Sequence, residues 1–203
     1  MPEARFEKLV RAQVQAYVNG KLVELEPWTE RRVADFGEGV GSHECYLLDN
    51  PDVPTVAEAL GVRECSSSFG TFPTVWNGLF GAMKVLPRSL LADRPAMQKL
   101  AVFSMPIIRA VDALVGGTNA MRVDAWNADR SKCVTLRCAH DELEDCVGQA
   151  TAAFGLELLR GTETGPDGDA TVPPGVWYPA ELGEEASANI MRVVREKATV
   201  WEM

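Results

Sequence analysis

The stretch VRAQVQAYVNGKLVELEPW narrows the fold more than any other part of the chain. Val10, Ala12, Val14, Ala16 and Val18 alternate with Arg11, Gln13, Gln15 and Tyr17, the period-two pattern of a strand with one buried face. Asn19-Gly20 then supplies two residues that tolerate the positive φ of a type I′ turn, so residues 21 to 26 return as a second strand. A hairpin of this kind commits its part of the chain to antiparallel pairing.

Glycine and proline divide the next sixty residues in the same way. RRVADFG reads as a short strand running into a turn at Gly37, Gly39 and Gly41, and HECYLLD as a strand apolar enough to be buried on both faces. Asn50-Pro51 ends it, and Pro54-Thr55 opens a short helix closed by Gly61. VRECSSSF is strand-like. Pro73 suits the first turn of a helix, because its missing N–H would have had no partner there. On that helix Val75, Leu79 and Met83 form a stripe with Trp76 and Phe80 beside it, which predicts packing on a core. MQKLAVFSMPIIRAVDALVG predicts a longer helix that Pro106 should kink.

NAMRVDAWNADRSKCVTLRCAH predicts a second hairpin, with Met121, Val123 and Ala125 alternating with Arg122, Asp124 and Trp126. DELEDCVGQATAAFGLELLRG predicts a helix capped by Asp141 and closed by Gly161, and TETGPDGDATVPPG a surface loop. A last helix over 184–195 and a closing strand in ATVWEM complete the chain. Hairpins together with helices predict an α+β fold in a single domain, 1–203, with a mixed, largely antiparallel β-sheet and helices packed on one side.

Composition limits the partners. A formal net charge of −9 argues against a nucleic-acid backbone or an anionic membrane surface as the main one, and no apolar run approaches a membrane span of roughly 18 residues. Cys45, Cys65, Cys133, Cys138 and Cys146 are odd in number and none is paired at CxxC spacing. MPEARFEKLVRAQVQ resembles no signal or transit peptide. Both features predict reduced thiols in a reducing compartment, the cytoplasm or a plastid stroma.

The motifs that tempt a catalytic reading each have a plainer one. FGEGVGS lacks the third glycine of a dinucleotide fingerprint and precedes a strand-like segment, so it reads as a hairpin turn. His140, Asp141, Glu144 and Cys146 form a loose cluster that helix capping explains, and no metal is expected. The segment CSSSFGTFPTVWNG is less easily dismissed. Ser66, Ser67, Ser68, Thr71 and the first N–H groups of the following helix could hold a carboxylate or phosphate, or Ser68 or Thr71 could simply cap that helix. Gly70, Thr71, Trp76 and Asn77 at this entrance, with Ser68, form the candidate pocket for a small-molecule ligand. Arg122 is added to it as a partner for a ligand carboxylate, against the alternative of an exposed or ion-paired arginine.

YLLDNPDVPTVAEALGV, FGTFPTVWNGLFGAMKVLPRSLL, PIIRAVDALVGGTNAMRVDAWN and VGQATAAFGLELLRG with PPGVWYPAEL succeed one another in an order that resembles the carboxy-terminal half of saccharopine dehydrogenase-like oxidoreductases. The likeness spans about residues 10 to 182. In that family a Rossmann domain binds NAD(P), and the second domain completes the substrate cleft and forms the dimer contact. The resemblance reaches the second domain only. It implies that no cofactor is bound by these residues, that NAD(P) enters through a separate Rossmann domain, and that the isolated chain is inactive, at most part of an NAD(P)-dependent oxidoreductase. It implies a homo-oligomer or a protein partner. The alternative is a non-catalytic structural or interaction subunit of a larger assembly, for which relatives in plastids suggest a photosynthetic complex.

Overall fold

The computed structural model describes residues 13–161, 172 and 174–203. Val10, Arg11 and Ala12 of the alternating run, and residues 162–171 and 173 of the loop at 162–175, lie outside the described residues. The protein is α+β, built from three small antiparallel sheets and the helices between them, where the sequence reading expects one sheet. Its residues group into two compact units, one of residues 13–34 and 43–117, the other of residues 35–42 and 118–203.

In the first unit β1 (Val14–Val18) and β2 (Lys21–Leu25) form the expected hairpin, with Val18 opposite Lys21. Asn19 and Gly20 take φ of 54° and 77°, as a type I′ turn requires of both positions. Val14 and Ala16 point inward, while Gln15 and Tyr17 are half-buried. Helix α1 (Asp52–Leu60) packs on β1 and buries Val53 and Ala57, four apart and so on one face. Gly61 ends it in the left-handed conformation, φ 64°.

Strands β3 (Arg32–Asp35), β4 (Ser42–Leu47) and β5 (Ser68–Phe69) form the second sheet, with β4 in the middle. Cys45 and Leu47 are its buried residues, and burial of Leu47 is worth about 2 kcal/mol. β5 is only two residues long, although VRECSSSF reads as a full strand. Earlier in that segment Cys65 makes an isolated bridge to Tyr17, so its backbone is shared between two neighbours rather than paired along one.

Helices α2 (Val75–Met83), α3 (Arg88–Leu91) and α4 (Arg94–Val115) complete this unit. The sequence reading puts the stripe of α2 on a core, and the structure corrects it. Asn77 is the buried residue of this helix, whereas Val75, Leu79 and Phe80 are exposed. Periodicity shows that a helix has an apolar side; it does not show that anything covers that side. On α4 no described side chain is buried, and Phe103 is 75% and Leu114 86% exposed.

In the second unit β6 (Asn119–Trp126) and β7 (Cys133–His140) pair in full register from Asn119 opposite His140 to Trp126 opposite Cys133. β8 (Val200–Glu202) pairs on the other edge of β7. Helices α5 (Leu143–Gly161) and α6 (Glu184–Arg195) pack on one another, joined by a Gln149 side-chain N–H donated to the Val193 carbonyl at 2.7 Å. Ala153, Ala186 and Ile190 are buried on this pair. No described helix is long and apolar enough to cross a membrane.

Candidate functional site

The 66–77 entrance is organised around a residue that the sequence reading did not single out, Glu44 on β4. Gly70 passes so close to this strand that a side-chain carbon at position 70 would lie 1.9 Å from the Glu44 carbonyl oxygen. Only glycine permits that approach. The chain then turns through Phe72 and Pro73, joined by a cis peptide bond, into α2.

Asn77 closes the turn. It is 3% exposed, and its Oδ1 accepts hydrogen bonds from the Thr71 backbone N–H at 2.8 Å and the Thr71 hydroxyl at 2.9 Å. Because a backbone N–H can only donate, the oxygen of the amide must face Thr71. The amide nitrogen is thereby directed at the Glu44 carbonyl, 3.5 Å away. The backbone carbonyl of Asn77 accepts the indole N–H of Trp28 at 2.8 Å.

Trp28 is also missing from the sequence reading. It has φ of 57°, a conformation that non-glycine residues adopt at a cost of about 1–3 kcal/mol, and what surrounds it offsets that cost. Its ring stacks on Tyr46 at 5.0 Å and meets Phe80 at 5.2 Å, and its backbone N–H donates to the Leu47 carbonyl at 2.8 Å. The Tyr46 hydroxyl donates to Glu44 at 3.0 Å, and Arg31 pairs with the same carboxylate. The Arg31 and Tyr46 hydrogen bonds hold the Glu44 carboxyl below its ordinary range, while burial and the neighbouring carboxylate push the Tyr46 phenol up. No local pattern in EPWTERR marks its Trp for a left-handed backbone; the Glu44 hub appears only when β4 and β5 are paired.

The candidate residues therefore fall into distinct places. Gly70 and Asn77 meet at Glu44, and Thr71 joins them through Asn77. Ser68 pairs with Leu47 in the short sheet, and Trp76 is half-buried with its backbone N–H on the Pro73 carbonyl. Neither Ser68 nor Thr71 caps the helix as the alternative reading supposes. Thr74 occupies the cap without a side-chain bond, and the Thr71 hydroxyl, outside the cap position, donates to the Asn77 side-chain oxygen at 2.9 Å. The donors that would greet an anion at Thr71 are thus engaged within the protein.

Arg122 belongs to the second unit. Its Nε donates to both oxygens of Asp124 at 3.1 and 3.0 Å, and its Nη1 donates to the Asp35 carbonyl at 2.8 Å. Arg137, opposite it in the register, bonds the Asp35 carboxylate at 2.9 Å and Glu202 at 2.7 Å. The Gly37–Gly41 segment lies beside this network. Phe36 N–H donates to the Gly41 carbonyl at 2.9 Å and β4 comes directly after, so FGEGVGS is the turn between two paired strands.

For Asp124, burial alone would raise the pKa, but hydrogen bonds from Arg122 and Thr135 outweigh it and leave the carboxyl below its ordinary range. A carboxylate lowered in the folded state contributes stability above its unfolded pKa of about 3.9, and that contribution disappears as pH falls through the folded value. Asp124→Asn should therefore lower the urea midpoint at pH 7 and flatten its decline below about pH 4. A variant whose acid limb is as steep as wild type would remove Asp124 from this account.

Among the described residues no group of three or more His, Cys, Asp or Glu side chains is arranged to hold a metal ion. Compared with known proteins, the chain matches no family model, and no curated protein matches it in sequence.

Proposed function

We propose that this chain is a non-catalytic interaction subunit, and that α4 is its docking element. The observation that carries the reading is a 22-residue helix of which no described side chain is buried. Leu100, Phe103, Ile107 and Leu114 recur at helical spacing along it and are exposed. Most helical stability in proteins comes from packing of the apolar face, so a helix of this kind gains most of its support from what covers it. Such a stripe suits helix-in-groove recognition.

Charge selects the occupant. Residues 94–115 carry Arg94, Lys99 and Arg109 against Asp112, in a chain whose formal net charge is −9. Self-pairing of α4 would bring like charges together, whereas an acidic amphipathic helix of a partner protein complements the local basic residues and the apolar stripe. The likeness to the second domain of saccharopine dehydrogenase-like oxidoreductases supports an assembly role. Under this reading NAD(P) is held by a separate Rossmann domain, and the engaged donors at Thr71 and Asn77 support a brace rather than a substrate clamp.

The test is a titration of the full chain with a synthetic helical peptide bearing leucines on one face and glutamates beside them. Binding weakened by salt, and weakened at least tenfold by Phe103→Glu with Leu114→Glu, is expected. The double variant should melt within about 0.5 kcal/mol of wild type, since neither side chain is buried. Absence of binding overturns the proposal, as does concentration-dependent self-association that the same substitutions abolish, which would assign α4 to a second copy.

A further inference from the structure

The second unit contains a pocket of about 240 Å³, open to solvent on one side, between α5, α6 and the segment leading into α6. Phe154, Leu158, Trp177, Leu182 and Ile190 make its walls, and Glu157 is its charged residue. Glu157 is 2% exposed. A carboxylate transferred into apolar surroundings costs several kcal/mol unless it is compensated, so a leucine here would serve packing better. The compensation shown is partial. Asn189 donates to Oε1 at 3.2 Å, and Arg160, half its side chain in solvent, forms an ion pair with Oε2 at 3.6 Å that is too long for a hydrogen bond.

Trp177 supplies the second feature. A side-chain carbon at Gly175 would lie 3.0 Å from the indole nitrogen and 3.2 Å from the adjoining ring carbon, so the indole lies close against the glycine backbone. An aromatic ring and a buried carboxylate on one apolar cavity are the two elements that recognise an ammonium group with a hydrocarbon body. Volume limits the size of that body. A 150 Å³ apolar cavity takes benzene, and pockets for drug-sized ligands begin near 300 Å³. A cavity of about 240 Å³ fits one ring or a short alkyl chain with its amine.

We propose that this cavity is a binding site for a small primary ammonium ion with an aromatic or short aliphatic body, its charge on Glu157 and its apolar part against Trp177, Phe154 and Ile190. The site is independent of α4 and of the interaction role. It rests on the walls and the carboxylate of the second unit alone.

Phenethylammonium is the probe, with 2-phenylethanol as its uncharged counterpart of nearly the same shape. Titrated into the full wild-type chain and followed by the Trp177 indole N–H signal, the ammonium should bind at least tenfold more tightly than the alcohol. Glu157→Gln keeps an oxygen for Asn189 and removes the charge; it should erase that preference and leave alcohol binding unchanged. Equal affinity of the two probes for wild type, no saturable shift of Trp177, or full retention of ammonium binding by the variant would each overturn the proposal. The wild-type comparison needs no substitution, so the proposal stays testable if Glu157→Gln fails to fold.

Discussion

Gly70→Ala is expected to destabilise the protein by at least about 3 kcal/mol, or to prevent the first unit from folding. The added carbon would lie 1.9 Å from the Glu44 carbonyl oxygen and 3.0 Å from its carbon. The obstacle is backbone, so no side chain can swing aside to relieve it. Relief requires β4 and the 68–71 segment to separate, which breaks the Tyr46–Phe69 and Leu47–Ser68 pairing and withdraws Thr71 from Asn77. Gly78→Ala is the matching control. Gly78 lies inside α2 with open space around it, and alanine there should stabilise the helix by about 0.5–1 kcal/mol. Urea unfolding followed by near-ultraviolet circular dichroism reads both changes. A cost below about 1 kcal/mol for Gly70→Ala would mean that the two segments do not approach as described.

Asn77→Leu is the second large effect, about 3 kcal/mol. Leucine fills a similar volume but removes the acceptor for the Thr71 N–H and hydroxyl and the donor aimed at Glu44. Each buried polar group left without a partner costs about 1–3 kcal/mol, and the members of such a network support one another. Asn77→Asp refines the test through pH. One aspartate oxygen can still accept from Thr71, but the other faces the Glu44 carbonyl and can bond it only when protonated. The folded state therefore raises the carboxyl pKa above its unfolded value of about 3.9. The variant should be closest to wild type below about pH 4 and lose stability as pH rises through the folded value. A stability difference between Asn77→Asp and wild type that stays the same from acid to mildly alkaline solution would show that the amide nitrogen does not serve Glu44.

Much of the fold is legible in local signals. Asn19-Gly20 specifies its hairpin because the turn chemistry and the flanking alternation agree, and the last helix falls at 184–195 as its pattern indicates. The site is only partly legible. The proximity of Gly70, Thr71 and Asn77 in sequence draws attention to them, but their roles depend on Glu44, which arrives from β4, and on Trp28, which arrives from the turn after β2. Arg122 is the ion-paired arginine that the sequence reading sets against a ligand role: Asp124, two residues on and on the same strand face, is a local partner, while the Asp35 carbonyl that also engages it arrives from far along the chain. Glu157 is hidden in the sequence for a related reason. In FGLELLRG an acidic residue on an amphipathic helix looks like the solvent side until α6 is packed on it.

Arg137 joins parts of the chain that are made at very different times. Its guanidinium holds the Asp35 carboxylate, 102 residues earlier, and Glu202, 65 residues later. While the polypeptide emerges from a ribosome, the turn at residues 35–42 can close on its own Phe36–Gly41 hydrogen bond, but Asp35 gains Arg137 only after β7 is made, and β7 keeps an open edge until β8 is released. A stall in synthesis ahead of Val200 would leave that edge bare and one arm of the guanidinium unclaimed, so the second unit ripens only once its final strand is free of the ribosome.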